Sequence, residues 1–333
     1  MIRWDEVGAK LDAAKARGQA VVLATHVNAD GDGLGCEIAL HHFLTARGHR
    51  VYVINNDPVP ERYRFLRGSE RILTYDGERS RNLILEAGLF FVLDNSSPAR
   101  LARLLPDVKE AQAFKICIDH HATVDPFWDL NCVDEEASAS GHLVYEMIQT
   151  LGGAITPEIA EAIYVSFVTD TGHFRFSKTT PEVHRIIADL MEMGSISAPR
   201  IYRALFEGIP TGLHKMIGYA VADTHFEQGG RFAYARITKR QLEECDGADE
   251  DTGDLVNMLL AVKGVEASAL FRELPEGRIK VSLRSLGDVD IHKLAERLGG
   301  GGHKNASGIL MPGSLEDAVR KVVEGMKDAL PPT

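Results

Sequence analysis

The sequence places aspartates and histidines directly after several apolar runs, where they add nothing to a hydrophobic core. Carboxylates and imidazoles gathered in this way bind divalent metal ions, and a set without thiolates favours Mn²⁺ or Mg²⁺ over structural zinc. Two such ions held close together can stabilise both the attacking and the leaving oxygen of a phosphoryl displacement. We therefore predict a two-metal site, with six candidate ligands: His26, Asp30, Asp32, Asp94, His120 and Asp170.

The spacing of these residues supports the prediction. Asp30 and Asp32 stand two apart in a segment that Gly31 and Gly33 punctuate, so we expect a tight loop whose two carboxylates could serve two neighbouring ions. Asp94 could bridge the ions. A single Asp-Gly-Asp segment is more typical of a turn, and a single Asp-His-His segment of a surface loop. Their occurrence together at successive strand ends favours the metal site.

A second candidate site lies near the C-terminus. Four consecutive glycines, 299–302, precede His303 and Lys304. Glycine backbone can approach an anion closely, and the side chains that follow add charge, so the segment is typical of a phosphate-binding loop. Arg284 ends an apolar run and could hold a phosphate with two parallel hydrogen bonds. A flexible linker is the alternative for the glycines, but linkers are not normally set between a helix and a strand.

The elements around the metal-binding residues have an α/β pattern. Apolar runs at 21–25, 50–54, 89–93 and 115–118 alternate with helical periodicity. Continuous apolar strands separated by helices predict a parallel sheet covered on both faces. In such sheets the ligand lies beyond the carboxyl ends of the strands. Because His26, Asp94 and the 119–121 segment fall at those ends, one site can collect them.

The pattern changes in the second half of the chain. After helices at 139–151, 157–169 and 181–193, the segment 195–230 is a mixed helical connector. A smaller α/β domain is predicted beyond it, with a strand, a hairpin that turns at 275–277, a strand at 308–311 and a final helix. The predicted domains are therefore 1–194, 195–230 and 231–333.

Composition limits the classes of function. The chain has 333 residues, a net charge of -11 and 44% hydrophobic residues, which predicts a globular protein without transmembrane spans. Its four cysteines show no CxxC spacing and predict reduced thiols in the cytoplasm. The acidic charge argues against binding of long duplex nucleic acid but not against a short nucleotide. A homodimer is compatible with the sequence.

The motifs His-x-x-x-Asp-x-Asp, Asp-His-His and Gly-Gly-Gly-His-x-x-Ala-Ser-Gly, in this order, resemble the DHH phosphoesterase superfamily and its DHHA1-containing subfamily. The resemblance covers about residues 15–328. It implies an N-terminal DHH catalytic domain with a parallel sheet flanked by helices, a smaller C-terminal α/β DHHA1 domain that binds substrate, and a cleft between them. It also implies one ion on His26 and Asp30, another on Asp32, His120 and Asp170, and Asp94 bridging the two.

The same resemblance assigns further roles. Asp94 and His121 are the implied catalytic residues, with His121 assisting catalysis or holding phosphate. Arg284, Gly301, Gly302 and His303 are the implied contacts to substrate phosphate.

The implied activity is that of the nanoRNase and pAp phosphatase branch. Such enzymes hydrolyse short single-stranded RNA and adenosine 3′,5′-bisphosphate with two ions of Mn²⁺, for which Mg²⁺ or Co²⁺ can stand in. A phosphodiesterase for cyclic or linear dinucleotides is the first alternative, and an inorganic pyrophosphatase fits the C-terminal loop less well. A nucleotide-binding sensor without catalysis is a third reading, which the presence of all six candidate ligands disfavours.

Overall fold

The computed structural model describes residues 2–121, 124–207, 210–245, 253–274 and 277–330, apart from the side chains at 253, 254 and 303. The chain forms two compact units, Met1–Glu207 and Gly208–Thr333. None of the helices in the described ranges combines the length and the apolar character that a membrane-crossing segment requires.

In the first unit, strands alternate with helices. The strands are β1 (Ala20–Ala24), β2 (Val51–Asn55), β3 (Ile72–Thr74), β4 (Ala87–Leu93), β5 (Phe114–Asp119) and β6 (Leu130–Val133). The helices are α1 (Trp4–Ala16), α2 (Gly31–Ala46), α3 (Glu78–Leu85), α4 (Leu105–Glu110), α5 (Ser140–Thr150), α6 (Pro157–Asp170), α7 (Pro181–Gly194) and α8 (Ala198–Phe206), with 3₁₀ turns at Glu61–Tyr63, Ser69–Arg71 and Pro98–Leu104.

These strands form one parallel sheet in the order β3-β2-β1-β4-β5-β6. The chain order reverses between β1 and β4, which makes that position the switch point at which open α/β sheets bind ligands.

Both faces of this sheet are covered, as the continuous apolar strands predicted. Along β1, Val21 and Leu23 pack into one hydrophobic cluster with α1, α2 and α5 to α8. Val22 and Ala24 point the other way and pack with α3 and α4. Since every position of β1 is buried against one helical layer or the other, the polar side chains that follow it are displaced to the sheet end.

The second unit has its own mixed sheet and core. Its strands are β7 (His225–Glu227), β8 (Phe232–Ile237), β9 (Ala267–Leu274), β10 (Arg278–Ser285), β11 (Gly301–His303) and β12 (Ala306–Pro312). They are arranged in the order β11-β12-β10-β9-β8-β7, with β8 and β9 parallel and the remaining neighbours antiparallel. Its helices are α9 (Thr211–Ala222), α10 (Lys239–Glu244), α11 (Gly253–Leu260), α12 (His292–Arg297) and α13 (Leu315–Ala329), with a 3₁₀ turn at Gln228–Gly230.

Two details of the predicted fold were wrong. The four-glycine segment was expected to be a loop throughout, but its last two glycines enter the edge strand β11, which pairs with β12. This segment is a strand because its backbone pairs with β12. Glycine residues give no sign of such pairing in the sequence. Asp32 was expected in a loop and instead lies in the first turn of α2. Gly31 and Gly33 are needed there because a Cβ would approach Thr169 and Thr25 to within 2.5 and 2.3 Å.

Candidate metal centre and active site

The six predicted ligands come together at one end of the first sheet. His26 follows β1, Asp94 follows β4 and His120 follows β5, three strands that are neighbours in the sheet. The helices supply the rest, because α2 begins beside Asp30 and Asp32 and α6 ends at Asp170.

Both imidazoles present the same nitrogen to the site. His26 Nδ1 lies 2.8 Å from the carbonyl oxygen of Val27, and His120 Nδ1 lies 3.2 Å from that of Ala137. A carbonyl can only accept, so these contacts place the proton on Nδ1 and leave the Nε2 lone pair for a metal ion. In the described residues, His120 Nε2 is buried without a hydrogen-bond partner.

Asp94 stands between the two imidazoles. Its Oδ2 lies 3.4 Å from His26 Nε2, and its Oδ1 lies 3.6 Å from His120 Nε2. The residue has a left-handed backbone with φ of 55°, which is uncommon outside glycine and asparagine. The Ser140 hydroxyl donates to Oδ1 at 2.9 Å, which fixes the direction of the carboxylate. One carboxylate therefore faces two separate ligand nitrogens.

Three groups of residues, which share members, could each hold a metal ion. Within each group the ligand atoms lie within 4.8 Å of one another. His26, Asp30 and Asp94 form one group, and Asp32, His120 and Asp170 form another. The third consists of Asp94, His120 and His121. The first two groups contain the same residues that the family resemblance implies for the two ions.

The two aspartates of α2 are oriented by different contacts. Asp30 caps the helix, because its Oδ1 accepts hydrogen bonds from the backbone N–H groups of Asp32 and Gly33 at 3.0 and 3.3 Å. The cap does not use Oδ2. Asp32 is 1% exposed and accepts four hydrogen bonds. Its donors are the backbone N–H groups of Ser140 and Gly141 at the start of α5, the hydroxyl of Ser166 on α6, and the thiol of Cys36.

Sequence reasoning missed these supporting residues. Ser140 holds Asp32 through its backbone and Asp94 through its hydroxyl, so one residue positions two predicted ligands. The available signal was the run of small residues 137–141, which lies between the end of β6 and the first turn of α5. Ser166 gave no such signal, since a serine inside an apolar helix is common.

His121 is paired with the first residue of its motif. Its Nδ1 lies 2.7 Å from Asp119 Oδ1, and its side chain is 32% exposed, whereas Asp119 is fully buried. The hydrogen bond that His121 donates to Asp119 raises the pKa of His121. Burial alone would raise the pKa of Asp119, but the hydrogen bond and charge of His121 outweigh it and lower that pKa. The pair favours a charged imidazolium beside the ligands.

The electrostatics of the cluster fit divalent cations. Burial is the largest cause that raises the pKa of both Asp94 and Asp170 well above the usual range. The negative charge of the neighbouring Asp32 carboxylate is the second largest. Burial lowers the pKa of His26 and His120, which favours the neutral imidazole that binds a metal ion. The crowded carboxylates repel one another in the absence of a cation, and ions among them would remove that repulsion.

The predicted phosphate contacts lie in the second unit. Arg284 on β10 pairs with Ala306 on β12, and Ala306 pairs with His303 on β11, so Arg284 and His303 share one row across three strands. Gly301 and Gly302 precede His303 on β11, and Gly302 has a φ of 140°. The Arg284 side chain is half-buried, and that of His303 lies outside the described part of the chain.

Two family models match the chain. The DHH family, N-terminal domain, matches residues 20–167, and the DHHA1 domain matches residues 229–330. The first match contains five of the six predicted ligands, and Asp170 follows it by three residues. The second contains Arg284 and the β11 segment.

Similar proteins cover nearly the whole chain. The bifunctional oligoribonuclease and PAP phosphatase NrnA of Thermus thermophilus is 33% identical over 98% of this chain and 95% of its own length. The NrnA protein of Bacillus subtilis is 28% identical over 86% of this chain and 88% of its own. The crystal structure of an exopolyphosphatase-related protein from Bacteroides fragilis is 30% identical, covers 97% of both chains and superposes with a TM-score of 0.91. The chain therefore belongs to the DHH phosphoesterase family, and it carries that family's DHHA1 domain.

Proposed function

We propose that this protein hydrolyses short oligoribonucleotides and adenosine 3′,5′-bisphosphate, using two divalent metal ions. The observation that carries the proposal is the position of Asp94, whose two carboxylate oxygens face the metal-binding nitrogens of His26 and His120. A ligand shared between two neighbouring groups is what a two-ion centre requires. The substrate class follows the printed activities of the two NrnA relatives, which align along most of the chain.

Six side chains would hold the ions. His26 and Asp30 would hold one, Asp32, His120 and Asp170 the other, and Asp94 would contact both, as the overlapping groups suggest. Imidazole and carboxylate ligands without a thiolate favour Mn²⁺, with Mg²⁺ or Co²⁺ as substitutes. When bound, the ions would supply Lewis-acid charge for displacement at phosphorus.

The chain would supply the proton chemistry through His121. The hydrogen bond to Asp119 raises the pKa of its imidazole and so favours the charged form, and the ring is partly exposed and lies in one ligand group with Asp94. A charged imidazole in this position can donate a proton to the leaving oxygen or hold a non-bridging oxygen of the phosphate. Asp119 would act as the positioning residue, since it fixes the ring without facing solvent.

In the second unit, Arg284, Gly301, Gly302 and His303 would bind a substrate phosphate. The shared row of Arg284 and His303 and the glycine backbone beside it support this assignment. We propose residues 1–194 as the catalytic domain, 195–230 as the connector and 231–333 as the substrate-binding domain. Buried cysteines that belong to no disulfide are typical of a reducing compartment, and Cys36, Cys117, Cys132 and Cys245 therefore favour a cytoplasmic location.

A substrate panel tests the proposal. The purified chain, stripped with chelator and resupplied with Mn²⁺, would be assayed on 5′-labelled RNAs of two to five nucleotides and on adenosine 3′,5′-bisphosphate. The same panel would include linear and cyclic dinucleotides and pyrophosphate. We expect rapid turnover of the RNA series and of the bisphosphate, with no turnover before the ions are restored.

The other outcomes are also informative. Turnover confined to dinucleotides would replace the proposal with a dinucleotide phosphodiesterase, and turnover of pyrophosphate alone would replace it with a pyrophosphatase. Mn²⁺-dependent nucleotide binding without turnover of any substrate would indicate a sensor.

A further inference from the structure

Arg100 lies next to the metal-binding cluster, although no motif marks it. The 3₁₀ turn Pro98–Leu104 follows β4, and its Arg100 N–H donates to the Ser97 carbonyl at 3.1 Å. The Arg100 carbonyl in turn accepts the N–H of Val27 at 2.9 Å. This bond joins the turn after Asp94 to the segment after His26, so the arginine backbone is fixed between two strand ends that carry predicted ligands.

The charge of Arg100 reaches both sides of the cluster. The guanidinium lies within electrostatic range of the His26 imidazole. It lies within the same range of the His121 imidazole. His26 follows β1 and His121 follows β5, so the guanidinium acts on residues from either side of Asp94.

In the parts of the chain that the structure describes, the Arg100 side chain forms neither an ion pair nor a hydrogen bond, although it is half-buried and its backbone is bonded to the segment that follows His26. Arg103, on the same 3₁₀ turn, is in contrast bound to Asn56, with Nε 3.2 Å from Oδ1. A guanidinium has five donors, and one that leaves them all unused beside the predicted metal-binding cluster has them available for an anion. The anion that this site would receive is a phosphate.

We propose that Arg100 binds the phosphoryl group undergoing cleavage and stabilises its charge during displacement. This inference rests on the proposed phosphoester hydrolysis at the metal-binding cluster. A planar guanidinium matches two phosphate oxygens at once, which a lysine ammonium cannot do. It also offsets the carboxylates that would otherwise repel an anionic substrate. Arg100 is thus a substrate-binding residue that the sequence motifs leave unmarked.

Three variants test the inference: Arg100→Ala, Arg100→Lys, and the matched control Arg103→Ala on the same turn. Each would be assayed with Mn²⁺ on a diadenylate and on bis(p-nitrophenyl) phosphate, whose hydrolysis needs no nucleotide. Orthophosphate binding in the presence of Mg²⁺ and Mn²⁺ binding would be measured by calorimetry. The binding measurements do not depend on turnover.

We expect Arg100→Ala to lower kcat/KM by ~100-fold, as the loss of a preorganised donor does, with a smaller loss in Arg100→Lys. Its orthophosphate affinity should fall about tenfold, the size of one lost charge-assisted contact, while Mn²⁺ affinity stays within about twofold. Arg103→Ala should match the wild type in every measurement.

Two results would overturn the inference. The first is unchanged orthophosphate affinity and kcat/KM in Arg100→Ala, and the second is an equal loss in Arg103→Ala, which would show that only net charge matters. A failure of the proposed substrates is distinguishable. The wild type would then hydrolyse bis(p-nitrophenyl) phosphate but neither RNA nor the bisphosphate, and Arg100→Ala would still bind orthophosphate weakly.

Discussion

Asp94 contacts both imidazoles of the candidate centre, so its replacement should affect both ion sites at once. We predict that Asp94→Asn lowers kcat by roughly a thousandfold, about 4 kcal/mol in activation free energy. Asparagine has nearly the same shape and tolerates the left-handed backbone at this position, so the fold should be retained. Steady-state kinetics and circular dichroism measure the two effects.

The matched control is Asp189→Asn, which removes a carboxylate from the exposed side of α7. It should leave kcat unchanged. Wild-type turnover by Asp94→Asn at saturating Mn²⁺ would contradict the shared-ligand assignment.

Glu37 is a buried acid on α2 that does not belong to the ligand set. Its Oε2 accepts the Asn55 amide at 2.7 Å, and its Oε1 has no hydrogen-bond partner among the described residues. Asn55 Oδ1 in turn accepts the N–H of Thr25 at 3.2 Å, so the acid supports the end of β1 from which His26 follows. Burial raises the pKa of Glu37 to about 8, against the opposing effect of the Asn55 hydrogen bond.

This shift predicts a pH dependence of stability. The pKa of Glu37 in the folded state lies above its unfolded value of 4.5, so folding is favoured by the bound proton. That contribution is complete below the unfolded value and is lost as pH rises towards about 8. Glu37→Gln keeps a neutral side chain at every pH, so it should gain stability relative to the wild type across this window. At about 1.4 kcal/mol per pKa unit, the gain should reach a few kcal/mol.

Urea unfolding of both proteins between pH 5 and pH 9 measures the difference, with exposed Glu86→Gln as the control. A wild-type-minus-variant difference that stays constant with pH would show that Glu37 is not protonated in the fold.

At the scale of elements, the packing of α2 on α6 sets the positions of Asp32 and Asp170. Gly35 makes the close approach possible, because a Cβ there would lie 2.5 Å from the Ala162 carbonyl oxygen and 3.1 Å from Ser166 Cβ. We predict that Gly35→Ala separates the helices and destabilises the first unit by roughly 1–3 kcal/mol. The shift of Ser166 away from Asp32 should also weaken Mn²⁺ binding. Thermal unfolding and calorimetry measure these effects.

Gly218→Ala is the control, since this exposed glycine on α9 has nothing within 4 Å of an added Cβ. That variant should gain up to about 1 kcal/mol from helix propensity. Equal stability changes in the two variants would exclude close packing as the cause in Gly35→Ala.

Elements with a strong periodic signal could be predicted from the sequence, and short edge elements could not. The α6 helix was expected at 157–169 and is observed at Pro157–Asp170, because Thr156 caps it and Pro157 fits its first turn. The three-residue strands β3 and β7 were missed. A strand this short has too few residues for an apolar alternation, and its pairing is decided by the neighbouring strand.

At the scale of the whole molecule, the predicted ligands belong to one compact unit and the predicted phosphate contacts to the other. Ions bound to the folded first unit should stabilise that unit by mass action. We predict that Mn²⁺ at 100 times its Kd adds about 2.7 kcal/mol to the first unit and nothing to the second. Differential scanning calorimetry with Mn²⁺ and with chelator would show one transition that moves.

The fluorescence of Trp4 and Trp128, both buried in the first unit, provides an independent record of that transition. An equal shift of every transition would contradict a metal centre confined to the first unit.

The candidate site shows the same division between what the sequence could and could not predict. The candidate ligands could be named from the sequence because His, Asp and their spacing are a chemical signal in themselves. The roles of Ser140 and Ser166 depend on contacts with Asp32 more than 100 residues away in sequence, at 2.7 and 2.6 Å. No local pattern encodes such contacts. Arg100 was missed for a related reason, since its proposed role depends on a side chain without a partner among the described residues.

The burial of all four cysteines has a practical consequence for kinetics. Cys36, Cys117 and Cys132 lie in the first unit and Cys245 in the second, and each is shielded from solvent. A thiol reagent can modify them only when the surrounding structure opens, so the rate of modification at each position records a local opening rate. Mass spectrometry of briefly alkylated protein would thus measure local opening in each unit separately, without any engineered probe.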